Sequence, residues 1–303
     1  MSVVAGRPGA GSEPRFSSDL SPDRGRAARR ASIISGVCVT ALGIVCTGVL
    51  YALIAHQQSQ GRSAAALAMS SMHMEQMHKF WSFPLLQAAG LIGLVFAYVS
   101  VALGLQQSAR ALPRLPLSYR QIDRLHRQVS LMVIALVIVH VVATAFDAMG
   151  DSITTVLVPW QWANQGWPQA VVGYTFGVVA MYILLIVAPT FYLRRRIGTS
   201  RWRFLHRFVL LFYALSVAHT LILGLDVGHY GWVRPVIWLA QIPLLALFIR
   251  RLTLPVRGSS RFSPARRRAL AGTRYTLTVL GAAGIIVALA IVLTGNSGLI
   301  TTV

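Results

Sequence analysis

Residues 124–146 read RLHRQVSLMVIALVIVHVVATAF, and residues 201–225 read RWRFLHRFVLLFYALSVAHTLILGL. In both stretches a basic cluster gives way to a long apolar run, and in both the run is interrupted by histidine. Hydrocarbon about 30 Å thick needs roughly 20 apolar residues of helix to cross it, so each stretch has the length and composition of a membrane span. The remainder of the 303 residues is of the same kind. The chain is 55% hydrophobic and 12% charged, with a mean hydropathy of +0.62, outside the usual composition of water-soluble domains.

Working outward from these two runs, seven spans are predicted: Ser32–Ala55, Trp81–Gln106, His126–Phe146, Ala170–Leu193, Phe204–Leu225, Trp232–Ile249 and Tyr275–Thr294. The sixth is the weakest, because Pro235 and Pro243 interrupt it and Arg234 stands at its start. The expected fold is an all-α, polytopic transmembrane bundle. With the N-terminus inside, 25 of the 28 basic residues fall on the inner side, leaving Arg62, Lys79 and Arg234 outside. That asymmetry predicts an N-in, C-out topology by the positive-inside rule. It also accounts for the net charge of +20 without nucleic acid as a partner.

The domain reading follows. Residues 1–31, rich in Gly, Ser, Pro and Arg, read as a disordered basic tail; Arg29-Arg30 ahead of so long an apolar run reads as an uncleaved anchor rather than an export signal. Residues 32–252 form the helical membrane domain, and residues 253–303 a basic loop with an extra C-terminal span. Cys38 and Cys46 share one apolar run and read as packing residues.

A histidine in hydrocarbon is expensive and calls for a partner. His126 and His140 lie fourteen residues apart on the third span, and His206 and His219 thirteen apart on the fifth. At about 1.5 Å per residue both separations are roughly 20 Å. Because the third and fifth spans run in the same direction, His126 pairs by depth with His206 and His140 with His219. A b-type haem takes two axial imidazoles from opposite sides, and two such levels make an electron path across the bilayer. A spacing of thirteen leaves the two side chains about 140° apart on a regular helix, so the fifth span needs an irregularity or its two haems approach from different sides. Arg127 and Arg207 each follow an inner histidine in the shared sequence Leu-His-Arg, where guanidinium groups can meet haem propionates. The other reading is that the arginines only mark the inner boundary and the histidines only hydrogen-bond between helices.

Paired histidines at this spacing with Arg after the inner ligand resemble the ferric reductase-like transmembrane domain over about Trp81 to Ile249. That family includes the membrane part of NADPH oxidases and the haem subunit of bacterial methionine sulfoxide reductase systems. The resemblance implies an inner haem on His126 and His206, an outer haem on His140 and His219, and outward electron transfer in a bacterial plasma membrane. Full-length ferric reductases continue into a flavin and nicotinamide domain, whereas no G-x-G-x-x-G fingerprint occurs within residues 1–303. The expected donor is therefore a separate reductase, a flavin such as FMN, or a quinol. The inner arginines could help dock an acidic donor, or serve only as topology determinants.

On the outer side, Asp147 and Asp226 each follow an outer histidine by seven residues, and the first outer loop carries Met72, His73, Met74, Met77 and His78. Carboxylates could draw a cation such as Fe³⁺ to the haem edge, and thioether with imidazole suits copper. Equally, the acids solvate helix ends and the methionines pack an interfacial segment. Either a metal or a redox protein is the expected acceptor. The rival class is a haem-free transporter or sensor that binds a transition metal through its intramembrane histidines.

Overall fold

The computed structural model describes residues 22–60, 81–109, 118–146, 153–158, 168–224, 231–253 and 272. Every element among them is helical: α1 (Pro22–Ser59), α2 (Ser82–Ala109), α3 (Tyr119–Ala145), α4 (Ile153–Leu157), α5 (Pro168–Ile197), α6 (Thr199–His206), α7 (Phe208–Leu223) and α8 (Val233–Thr253). Among the described residues six helical segments are long and apolar enough to cross a membrane, α6 and α7 counting together as the fifth. The six correspond to the first six predicted spans. The predicted seventh lies outside the described residues.

Two boundaries differ from expectation for physical reasons. α1 begins at Pro22, so residues 22–31, read as part of a disordered tail, are helical. Proline suits a first helical position, and the Arg and Ala residues after it are good helix formers continuous with the apolar run. The weak sixth span is an unbroken α8 with Pro243 inside it. Pro235 falls in its first turn, where a missing N–H leaves no helical bond unmade.

α2 is the most enclosed span, with half of its apolar window inside the protein. It packs against α3, α1, α8 and α7, while α5 packs against α7. Ala88 and Ala89 are fully buried on α2, and small residues there let neighbouring backbones approach closely. α3, which carries His126 and His140, and α7, which carries His219, share no extensive backbone contact. Each instead leans on a glycine-bearing partner, α3 on α2 and α7 on α5. Large apolar side chains such as Ile33, Ile34, Val37, Leu185, Ile186 and Leu239 are exposed on the periphery, as expected of surfaces that meet lipid.

The start of α3 is fixed locally. Ser118 accepts from the Gln121 amide while the Gln121 side chain accepts from the Ser118 amide, a reciprocal capping box. Ile122, Val129, Leu136 and Ala143 then form a buried stripe at seven-residue intervals. His126 and His140 lie on the neighbouring stripe.

Candidate functional site

The structure brings the four histidines together in two pairs. The rings of His126 and His206 are 6.2 Å apart at 88°, and those of His140 and His219 are 6.1 Å apart at 85°. Imidazole nitrogens bind first-row metals such as Zn²⁺ at about 2.0–2.1 Å, and a ring centre lies about 1.1 Å behind its nitrogen, so two imidazoles on opposite sides of one ion stand about 6.3 Å apart. Both pairs have that separation. Neither level is joined by a third His, Cys, Asp or Glu that would complete a metal-holding cluster among the described residues. Two imidazoles suit an iron whose other ligands come from a macrocycle, whereas a bare transition ion usually takes more protein ligands.

Three of the four rings are anchored by one device. Nδ1 of His140 donates to the Leu86 carbonyl at 2.7 Å, that of His126 to the Ser100 carbonyl at 2.9 Å, and that of His219 to the Gly173 carbonyl at 2.9 Å. A carbonyl can only accept, so each Nδ1 carries the proton and Nε2 is left as the free nitrogen. A second hydrogen bond of this kind fixes a ligating imidazole's orientation and raises its basicity. Each accepting carbonyl is four residues before a glycine: Gly90, Gly104 and Gly177. A Cβ at Gly90 would meet His140 Nδ1 at 2.9 Å, one at Gly177 would meet His219 Nδ1 at 2.6 Å, and one at Gly104 would meet His126 Cε1 at 3.3 Å. The glycines are the places where the imidazoles reach the backbone.

Sequence reasoning missed these glycines, although a signal was present. Gly90 and Gly104 are fourteen residues apart, as are His126 and His140, the register that two antiparallel helices need to meet twice. Hydroxyls add a further layer. Ser130 donates to the His126 carbonyl at 2.7 Å and Thr144 to the His140 carbonyl at 2.8 Å.

The irregularity required of the fifth span lies between its two histidines. The helix is interrupted at Arg207, whose amide donates to the Phe204 carbonyl at 3.2 Å and whose carbonyl accepts from Leu210 at 3.1 Å. Both bonds span three residues. Each residue wound at about 120° rather than 100° removes roughly 20° from the 140° mismatch, so the tightened turn moves His206 and His219 towards one face. Upstream, Gly198 makes the corner between α5 and α6 with φ of 86°, a conformation that favours glycine.

The arginines stand at the His126–His206 end. Arg127 is half-exposed and ion-paired to Asp123 at 2.8 Å, a partner that sequence reasoning overlooked. Its guanidinium also lies 6.0 Å from the centre of the Phe191 ring. Arg207 sits at the helix interruption with its side chain exposed. Asp147, Asp226, Met72, His73 and His78 lie outside the described residues.

The family model for the ferric reductase like transmembrane component matches residues 89–217. The match contains His126, His140 and His206, and ends just before His219. No curated protein and no solved structure matches the chain.

Proposed function

We propose, from the match of residues 89–217 to the family model of the ferric reductase like transmembrane component, that this integral membrane protein is a di-haem cytochrome b. In this reading His126 and His206 hold an inner haem and His140 and His219 an outer haem, with the N-terminus inside and residues 253–303 adding a basic loop and a further span. The observation that carries it is the pair of imidazole couples at 6.2 and 6.1 Å.

When bound, each haem supplies a one-electron redox centre. The chain's own residues do the rest. Carbonyls of Leu86, Ser100 and Gly173 hold three ligands in one tautomer, glycines make room for those rings, and apolar helices keep water from the path between levels. Fourteen residues of continuous helix separate His126 from His140 on α3, about 21 Å of rise, so two haems held at these levels would stand at two depths of the bilayer and would supply two redox centres along one path. Arg127 and Arg207 stand where propionates at the inner edge would be met by charge. The donor is a separate reductase, a flavin or a quinol, and the acceptor is a metal or redox protein beyond the outer haem. The setting we propose is a bacterial plasma membrane.

A reduced-minus-oxidised spectrum of the purified protein should show the bands of low-spin b-type haem. Their absence after expression with ample haem would reject the reading in favour of a haem-free transporter or sensor.

A second expected outcome concerns the donor. The 303-residue chain alone should not oxidise NADPH or NADH, whereas addition of a flavin reductase or a quinol should reduce its haem. Stoichiometric NADPH oxidation by the isolated chain would contradict this assignment of the donor.

A further inference from the structure

His206 is the exception among the four histidines: among the described residues its ring has no hydrogen bond to a neighbouring helix. Instead it stacks on Trp202, with ring centres 5.1 Å apart and planes at 25°. α5 shows why the glycine device is absent here. α5 and α7 run antiparallel, so the residue that stands to His206 as Gly177 stands to His219 lies about thirteen further along, at Thr190. Thr190 is buried, and its hydroxyl is turned to its own helix, donating to the Val187 carbonyl at 2.6 Å. Counted by register, the position that is glycine at the other level is therefore a residue with a side chain at this one.

The following residue, Phe191, braces the alternative. Its ring meets Trp202 at 6.2 Å and 67°, and its own face carries Arg194 at 4.5 Å and Arg127 at 6.0 Å. Arg127 is the neighbour of His126. A continuous set of contacts therefore joins the two ligands of this level: His126, Arg127, Phe191, Trp202, His206. Trp202 is four residues before His206 on α6, the spacing at which helical side chains face each other.

We propose that Trp202 is the positioning residue of the inner haem ligand His206, replacing by ring stacking the carbonyl bond that orients the other three. A stacked ring limits the plane of the imidazole but adds no hydrogen bond to Nδ1. His206 is consequently the ligand most easily detached, and the inner haem is the one whose coordination depends on an aromatic side chain. This inference rests on the di-haem reading.

The test uses the full chain loaded with haem, and compares Trp202→Phe, Trp202→Leu and Trp202→Ala by carbon monoxide binding to the reduced protein and by redox titration. Six-coordinate haem offers no site for carbon monoxide. Wild type and Trp202→Phe should bind none, while Trp202→Leu and Trp202→Ala should bind it at half of their haem and shift the inner midpoint alone. His206→Ala supplies the reference spectrum for the detached ligand. Leucine keeps much of the bulk without the flat face, so Trp202→Leu against Trp202→Phe decides the matter even where Trp202→Ala does not fold. Trp202→Leu behaving as wild type in both readouts overturns the proposal, as does equal disturbance of both haems by Trp202→Leu. A wild-type chain without haem would instead remove the reading beneath it.

Discussion

Gly177→Ala should release the outer haem, or leave its iron five-coordinate, while the inner haem keeps its spectrum. The added methyl would stand 2.6 Å from Nδ1 and 2.7 Å from Cε1 of His219, closer than real Cβ contacts allow. The imidazole has little freedom to yield, because its Nδ1–H is bonded to the Gly173 carbonyl on α5, the helix that carries Gly177. Overpacking in a tight core costs about 1–3 kcal/mol, and here the displaced group is itself the ligand. The series should be graded: Gly90→Ala, at 2.9 Å from His140 Nδ1, should disturb the same haem less, and Gly104→Ala, at 3.3 Å from His126 Cε1, should act on the inner haem instead and most weakly of the three. Gly48→Ala meets nothing within 4 Å and should leave haem content unchanged, with about 0.5–1 kcal/mol of added helix stability. Haem per polypeptide and redox titration read all four. Gly177→Ala with two haems and an unaltered outer midpoint would separate the glycines from ligand placement.

His126→Ala or His206→Ala should remove the inner haem, halve the haem content and bring electron delivery from an inner-side donor to the outer haem down to background. The outer pair should survive, because its anchors are independent. His140 and His219 are held by Leu86 and Gly173, whereas His126 is held by Ser100 and His206 stacks on Trp202. Loss of one imidazole leaves five-coordinate iron or an empty site. Chemical reduction by dithionite should still reach the outer haem in these variants, which distinguishes a broken path from a misfolded protein. Donor-driven reduction of the outer haem at the wild-type rate in His126→Ala would refute the inner assignment.

How much of this was legible beforehand depended on contrast. Histidines stand out in an apolar run because burying them without a partner is costly, so their pairing by depth could be read from spacing alone. The interruption at Arg207 was legible only as an inconsistency, since thirteen residues of regular helix would leave His206 and His219 on different faces. The glycines were not singled out, because glycine is frequent in membrane helices for many reasons. Only the register of α2 against α3 and of α5 against α7 gives Gly90, Gly104 and Gly177 a shared meaning. Trp202 and Phe191 lay in an arginine-rich segment that composition alone marks as a boundary, and their edge-on contact spans the corner at Gly198. The pairing of Arg127 with Asp123 is a plain four-residue helical pair that attention to charge sorting passed over.

Haem content joined to a redox titration of the purified, intact chain is the most direct measurement of whether the histidine pairs carry two cofactors. The expected result is two haems per polypeptide titrating in two steps, one step lost in His126→Ala and His206→Ala and the other in His140→Ala and His219→Ala. A chain without haem, or a titration that none of the four substitutions alters, would contradict it.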